Sequence, residues 1–190
     1  MIKIGVLALQ GAFREHIYSI KKCGADAVEI KLPEQLKDVE GLIIPGGEST
    51  TINKLIKKYS FNFYLDEFYK SGKAIYGTCA GLILIAKKVT SENFGLGYID
   101  IDVARNSYGR QIDSFEEYVS IDFDKDEKFK AIFIRAPKIL RAGPEVDILS
   151  KIKDNIILAR QSNVMVSTFH PELGEDTRIH KYFLKMIEKL

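Results

Sequence analysis

Three short stretches of this chain bring together residue types that cleave acyl bonds. The first is Gly77-Thr78-Cys79-Ala80-Gly81, which follows the apolar run Ala74-Ile75-Tyr76 and precedes the apolar segment Leu82 to Ala86. A G-x-nucleophile-x-G turn between a strand and a helix is a nucleophile elbow. Its glycines permit a tight, strained turn and leave room around the reacting side chain. A cysteine placed there sits at a helix N-terminus, where the dipole favours a thiolate. The N–H of the next residue, Ala80, is then aimed at a developing oxyanion. The alternative is a buried structural cysteine, because free cysteine often serves as a small hydrophobe.

The second stretch is Phe169-His170-Pro171-Glu172, at the end of an apolar run. Residues i and i+2 of an extended segment share a side, so Glu172 is expected beside His170. A cysteine, a histidine and a carboxylate make the nucleophile, base and orienter of covalent acyl transfer. Alone, His170 reads as a satisfied histidine at a strand end; the elbow cysteine reverses that reading. The other two histidines, His16 and His180, fall on predicted helices and are expected to be solvated at the surface. The third stretch is Pro45-Gly46-Gly47-Glu48-Ser49. Its glycines let the backbone approach a ligand and turn N–H groups inward. A plain turn is the other reading.

The elements that carry these stretches alternate. Ile2 to Leu9, Ala27 to Ile30, Gly41 to Ile44 and Ala74 to Tyr76 read as short buried strands. Between them, Ala12 to Cys23, Ser49 or Thr50 to Lys58, and Phe61 to Ser71 read as helices, with Gly24 closing the first. This alternation is the pattern of an α/β domain built on a mainly parallel sheet. Residues 98–103, 117–123, 131–135, 146–149, 156–160 and 164–169 read as further strands, with some antiparallel additions expected. Asp176 to Leu190 reads as a closing amphipathic helix. No repeat or linker interrupts the chain, so one domain over 1–190 is expected.

Composition narrows the function. A length of 190 residues, 46% apolar and 28% charged, suits an ordinary soluble domain. A formal net charge of +2 supplies no electrostatic case for nucleic acid or membrane partners. The two cysteines, Cys23 and Cys79, form neither a disulfide framework nor a C-x-x-C metal motif. The N-terminal apolar run is too short and too soon interrupted by Gln10 and Gly11 for a signal peptide. A cytoplasmic location, where a reactive thiol survives, is expected.

The order of a G-G loop, G-x-C-x-G and a late H-P-E resembles the class I, triad-type glutamine amidotransferases. Further blocks tighten the likeness to one subfamily, the glutaminase subunit of pyridoxal 5'-phosphate synthase. They are Leu9-Gln10-Gly11 with Arg14-Glu15-His16, Asn106 to Gln111 after Arg105, Asp113-Ser114-Phe115-Glu116, and Phe133-Ile134-Arg135-Ala136-Pro137. The blocks span almost the whole chain. The resemblance implies an α/β three-layer sandwich with a mixed, mainly parallel sheet. It implies that Cys79 attacks glutamine, His170 moves the protons and Glu172 holds the imidazole. Gly47 and Ala80 would form the oxyanion hole, and Gly46, Gly47, Glu48, Arg105, Ile134 and Arg135 would hold glutamine. No cofactor or metal is implied. The implied partner is a synthase subunit that receives ammonia in a hetero-oligomeric complex. For each arginine a solvated surface charge remains the plain alternative. A stand-alone cysteine peptidase shares the elbow, but H-x-E and the G-G-E-S loop argue against it. A non-catalytic binding subunit has no physical need of all three triad groups.

Overall fold

Short aliphatic runs, closed off by glycine or polar residues, set the strands of this molecule. The structure, a computed structural model, describes residues 1–90, 92, 94–105 and 114–189. In chain order the first half reads β1 (Lys3–Leu7), α1 (Phe13–Lys22), β2 (Asp26–Ile30), a 3-10 turn (Pro33–Asp38), β3 (Gly41–Ile44), α2 (Ser49–Lys58), α3 (Phe61–Lys70), β4 (Ala74–Thr78) and α4 (Ala80–Ile85). Then come β5 (Ala86–Val89), β6 (Ile99–Ala104), β7 (Ser114–Ile121), β8 (Asp124–Ile134), β9 (Lys138–Ala142), β10 (Asp147–Ile152), β11 (Asn155–Gln161) and β12 (Val164–Ser167). A 3-10 turn (Pro171–Leu173) and α5 (Arg178–Ile187) close the described chain.

Among the described residues the strands form a ten-stranded mixed sheet in the order β2-β1-β3-β4-β12-β11-β9-β6-β5, with β10 on β11. Pairing is parallel from β2 through β12 and again between β5 and β6. It is antiparallel at β12-β11, β11-β10, β11-β9 and β9-β6. β7 and β8 form a separate antiparallel hairpin. The expected mixed, mainly parallel α/β arrangement is what the chain adopts.

Successive strand residues point to opposite faces, and the core divides accordingly. Leu42, Ile44, Ile75, Val164 and Val166 join residues of α2, α3 and α4 on one face. Ile43, Tyr76 and Met165 join Ile20 of α1, Ile179 and Phe183 of α5, and Phe129 and Phe133 of the hairpin on the other. Strands β3, β4 and β12 are buried along their whole length, as parallel strands covered on both faces must be. The result is helices, sheet, then helices with the hairpin.

The second half departs from the sequence reading in its boundaries. β8 begins at Asp124, well before the expected 131; Asp124 to Lys128 are polar and largely exposed, so no apolar run marks the start of the strand. β9 and β5 were not expected as strands. β9 buries only Ile139 deeply, and β5 carries exposed Lys87 and Lys88 between two buried residues, so neither shows an apolar run.

Candidate active site

The parallel strands end at one edge of the sheet, and the chemistry-bearing loops leave from those ends. The carboxyl end of β1 leads to Gln10 and Gly11, that of β3 to Gly46 and Gly47, that of β4 to Cys79, and that of β12 to His170. These strands are neighbours in the sheet, so segments far apart in sequence meet. Open α/β sheets place ligands at this edge.

Cys79 has φ +48° and ψ −101°, a conformation that side chains rarely take. Such strain costs of order 1–3 kcal/mol and persists only where the surroundings over-determine it. Here they do. The Cys79 N–H donates to Ser167 O at 2.9 Å, locking the elbow to β12. A Cβ on Gly81 would run into the Ile44 carbonyl, and one on Gly77 would meet Gly81, so both elbow positions require glycine. On Gly46 a Cβ would strike the His170 ring. Its absence lets the glycine loop pass directly against the imidazole.

His170 Nδ1 lies 2.8 Å from Glu172 Oε1, and the His170 N–H donates to Ile132 O on β8 at 2.8 Å. The pair forms by a different route from the one expected. Glu172 sits in the 3-10 turn rather than in an extended segment, and the turn folds its carboxyl back under the ring. Burial of His170 opposes protonation, but its hydrogen bonds to Cys79 and Glu172 outweigh that and push its pKa up to about 10. The imidazole therefore keeps its second proton across the neutral range, ready to give to a leaving group. Burial alone would raise the Glu172 carboxyl; the neighbouring His16 and His170 more than offset it and hold it below the usual range.

Cys79, Ala80, His170, Gly47, Glu48, Arg105, Ile134 and Arg135 line one cavity of about 250 Å³, joined by Gln10, Ser49 and Ile83. That volume lies below the ~300–1,000 Å³ typical of drug-sized ligands and suits one small molecule. Gly46 and Glu172 stand just behind the lining. Arg105 is an ion-pair partner of Glu48, at 2.9 Å, and of Glu92. Glu48 is thus engaged with an arginine on the cavity wall. Arg135 is exposed at φ +43°, a second strained residue at the mouth. The quoted block Asn106 to Gln111, with Asp113, lies outside the described residues.

Two readings from sequence are corrected here. His16 and His180 are not solvated surface histidines; both have 0% exposure and hydrogen-bond each other beneath the triad. Helical periodicity placed them on α1 and α5 but did not show that both helices turn these positions inward. Gln10 and Thr78 were also missed as chemistry-bearing residues. Gln10 Oε1 accepts the Glu48 N–H at 2.8 Å, and Thr78 Oγ1 accepts the Gly46 N–H at 2.9 Å. Their signal was position alone, at the carboxyl ends of β1 and β4, the two strands that flank β3.

A strained cysteine beside a histidine–glutamate pair, at the carboxyl edge of this mixed sheet, defines a triad-type amidotransferase, and this chain belongs to the SNO glutamine amidotransferase family, whose pattern matches residues 6–189. It is 51% identical over 190 residues to the pyridoxal 5'-phosphate synthase subunit PdxT of Bacillus licheniformis, covering 100% of this chain and 96% of that protein. It is 52% identical to the same-named subunit of Fervidobacterium nodosum, covering 98% and 97%. A solved glutamine amidotransferase superposes with a TM-score of 0.92 at 43% identity, covering 97% of this chain and 98% of that one. PurLQS from Thermotoga maritima, at 18% identity and a TM-score of 0.73, shares the fold.

Proposed function

We propose that this chain, as one domain over residues 1–190, is the glutaminase subunit of a pyridoxal 5'-phosphate synthase. It hydrolyses L-glutamine to L-glutamate and ammonia and hands the ammonia to a synthase subunit in a hetero-oligomeric, cytoplasmic complex that makes vitamin B6. The observation that carries this reading is the strained Cys79 elbow facing the His170–Glu172 pair, whose Nδ1–Oε1 distance is 2.8 Å.

In this reading Cys79 Sγ attacks the side-chain amide carbon of glutamine. The carbonyl electrons move to an oxyanion held by the N–H groups of Gly47 and Ala80. The C–N bond breaks as protonated His170 gives its proton to the departing ammonia, leaving a glutamyl thioester. Neutral His170 then takes a proton from water, which attacks the thioester, and glutamate leaves as the thiolate returns. Glu172 holds the imidazole throughout. Arg105 and Arg135 bind the α-carboxylate, for which the guanidinium fork is suited. Glu48 takes the α-ammonium, while Gly46 and Ile134 shape the site.

The Gly46–Gly47 peptide supplies the regulation. Its carbonyl accepts the Ala12 N–H at 3.0 Å. One such bond contributes about 0.5–1.5 kcal/mol, and glycines on both sides resist rotation little. A docking partner with modest differential affinity can therefore select the orientation in which Gly47 faces the oxyanion. Ammonia release is measured with and without the synthase subunit. A higher kcat/KM in the complex is expected. Equal values would overturn partner activation, and no ammonia in either case would overturn the glutaminase reading.

A further inference from the structure

Beneath the triad lies a buried polar cluster that the reaction above does not use. His16, on α1, and His180, on α5, are both fully buried. His16 Nδ1 is 3.0 Å from His180 Nε2. His16 Nε2 is 3.1 Å from Thr78 Oγ1 and 3.3 Å from Glu172 Oε2. That carboxylate oxygen has no other hydrogen-bond partner among the described residues. Its sister oxygen is the one that orients His170. Thr78 Oγ1 also accepts the Gly46 N–H, so the cluster touches the glycine loop as well as the triad.

The proton positions follow from the charge of Glu172. A hydrogen bond of 3.0 Å between two imidazole nitrogens needs one donor and one acceptor. If His16 donated from Nδ1, its Nε2 lone pair would face a buried carboxylate oxygen at 3.3 Å. The remaining N–H, on His180 Nδ1, would have no partner, and buried orphan N–H groups are rare. In the other arrangement His180 donates from Nε2 to His16 Nδ1, and His16 turns its own Nε2–H toward Glu172 and Thr78. The His180 Nδ1 lone pair and the hydroxyl proton of Thr78, whose oxygen accepts from both His16 and Gly46, are then left over, but no lone pair is set against the carboxylate. The 3.0 Å nitrogen–nitrogen contact also leaves no space for a metal ion between the rings, and no group of three ligands is placed for one among the described residues.

We infer that His16 is a positioning residue of the triad: its Nε2–H, fixed in that tautomer by the Nε2–H of His180, holds Glu172 from behind and, through Thr78, ties the carboxylate to the Gly46 loop. This deepens the glutaminase reading and rests on it. The groups that face His16 are Glu172 and His170 from the last loop, His180 from α5, Tyr76 and Thr78 from β4, and Glu15 beside it on α1. Burial is the main cause that lowers the pKa of both His16 and His180, the latter to about 3, so each carries one proton at neutral pH. A neutral imidazole serves the purpose. It gives Glu172 a donor without neutralising the charge that stabilises protonated His170, and buried networks of this kind fix a geometry most firmly when each charged member has its partner.

The chain has three histidines, so nitrogen-15 NMR of the labelled wild-type protein at neutral pH resolves every imidazole. The expected spectrum shows His16 and His180 each protonated at Nε2 alone, and His170 protonated at both nitrogens. A proton on Nδ1 of His16 would overturn the inference with no variant needed. Kinetics of the glutaminase–synthase complex supply the second arm. His16→Leu is expected to lower kcat by about 10- to 100-fold, the range seen for groups that orient a ligand from behind. KM should stay within about twofold, because the lost contact acts on the transition state. His16→Gln, whose amide N–H can stand where Nε2–H stood, should restore most of kcat. Wild-type kcat in a folded His16→Leu, or a His16→Gln as damaged as His16→Leu, would contradict the role. A wild-type complex that releases no ammonia would instead sink the glutaminase reading and leave the tautomer result standing.

Discussion

The parallel part of the sheet and the antiparallel part contribute to the site in different ways. From β1 to β12 the strands are covered on both faces, and the loops at their carboxyl ends are fixed by backbone bonds: Cys79 to Ser167, Ala12 to Gly46, His170 to Ile132. This part holds Cys79, His170, Glu172 and the Gly46–Gly47 loop. The antiparallel part, together with the hairpin, is half-exposed and carries Arg105 at the end of β6 and Ile134 and Arg135 at the end of β8. The atoms assigned to the reaction sit on the most buried scaffold, and the groups assigned to hold the substrate's α-end sit on the more exposed one. Rate should therefore be sensitive to the first region and substrate affinity to the second.

Four experiments bear on that division. Replacing Cys79 with Ala is expected to remove glutamine hydrolysis to background, a loss of about 10⁴-fold or more, as for nucleophiles of this kind. Stability should not fall, and Cys79→Gly should raise it by about 1 kcal/mol, because glycine takes φ +48° without strain. A thermal melt compared with ammonia release reads both. Next in size is Gly46→Ala. Its Cβ would displace the His170 ring, and a misplacement near 1 Å costs on the order of 100-fold in kcat. Wild-type turnover there would mean that the glycine loop and His170 are not fixed against each other.

In the other region, Arg135→Ala and Arg105→Ala are expected to raise KM by roughly 10- to 100-fold, as for the loss of a hydrogen bond to a charged group, with kcat little changed. A fall in kcat with KM unchanged would erase the contrast between the two parts. The smallest effect concerns pH. His16 and His180 have lowered pKa values in the folded state, so the unfolded chain binds protons that the native one does not. Their stabilisation is present above about 6.5, the unfolded histidine value, and is lost as pH falls below it, for His180 down to about 3. Between pH 6.5 and about 5, above the range where most carboxylates titrate, His180 contributes a slope of up to about 1.4 kcal/mol per pH unit, and His16 acts in the same direction. Melting temperatures over that window should fall with acid, and less steeply in His180→Gln. An identical slope in both proteins would count against a neutral buried His180.

Much of the first region was legible in the sequence. β3, β4 and β12 are short, mostly apolar runs, and the glycines at the ends of β3 and β4 mark where the backbone must bend or approach a ligand. Cys79, His170 and Glu172 stood out because their residue types are informative wherever they occur at a strand end. The burial of His16 and His180 was not legible. It depends on the packing of α1 and α5 over β4, which no local pattern encodes, and a lone histidine on a helix looks the same whether it faces water or core. β5, β9 and the start of β8 were hidden for the converse reason. Exposed lysines and acidic residues interrupt their apolar alternation, and only pairing with a neighbouring strand reveals them.

The most direct test of the central claim is peptide mapping after reaction with an electrophilic glutamine analogue. Wild-type protein, in complex with its synthase subunit, should carry one adduct, on the peptide containing Cys79, and excess glutamine should suppress it. Cys23, which is half-buried and has its pKa raised mainly by burial, should stay unmodified. An adduct on Cys23, or labelling of Cys79 that glutamine does not suppress, would contradict the assignment of Cys79 as the nucleophile of a glutamine site.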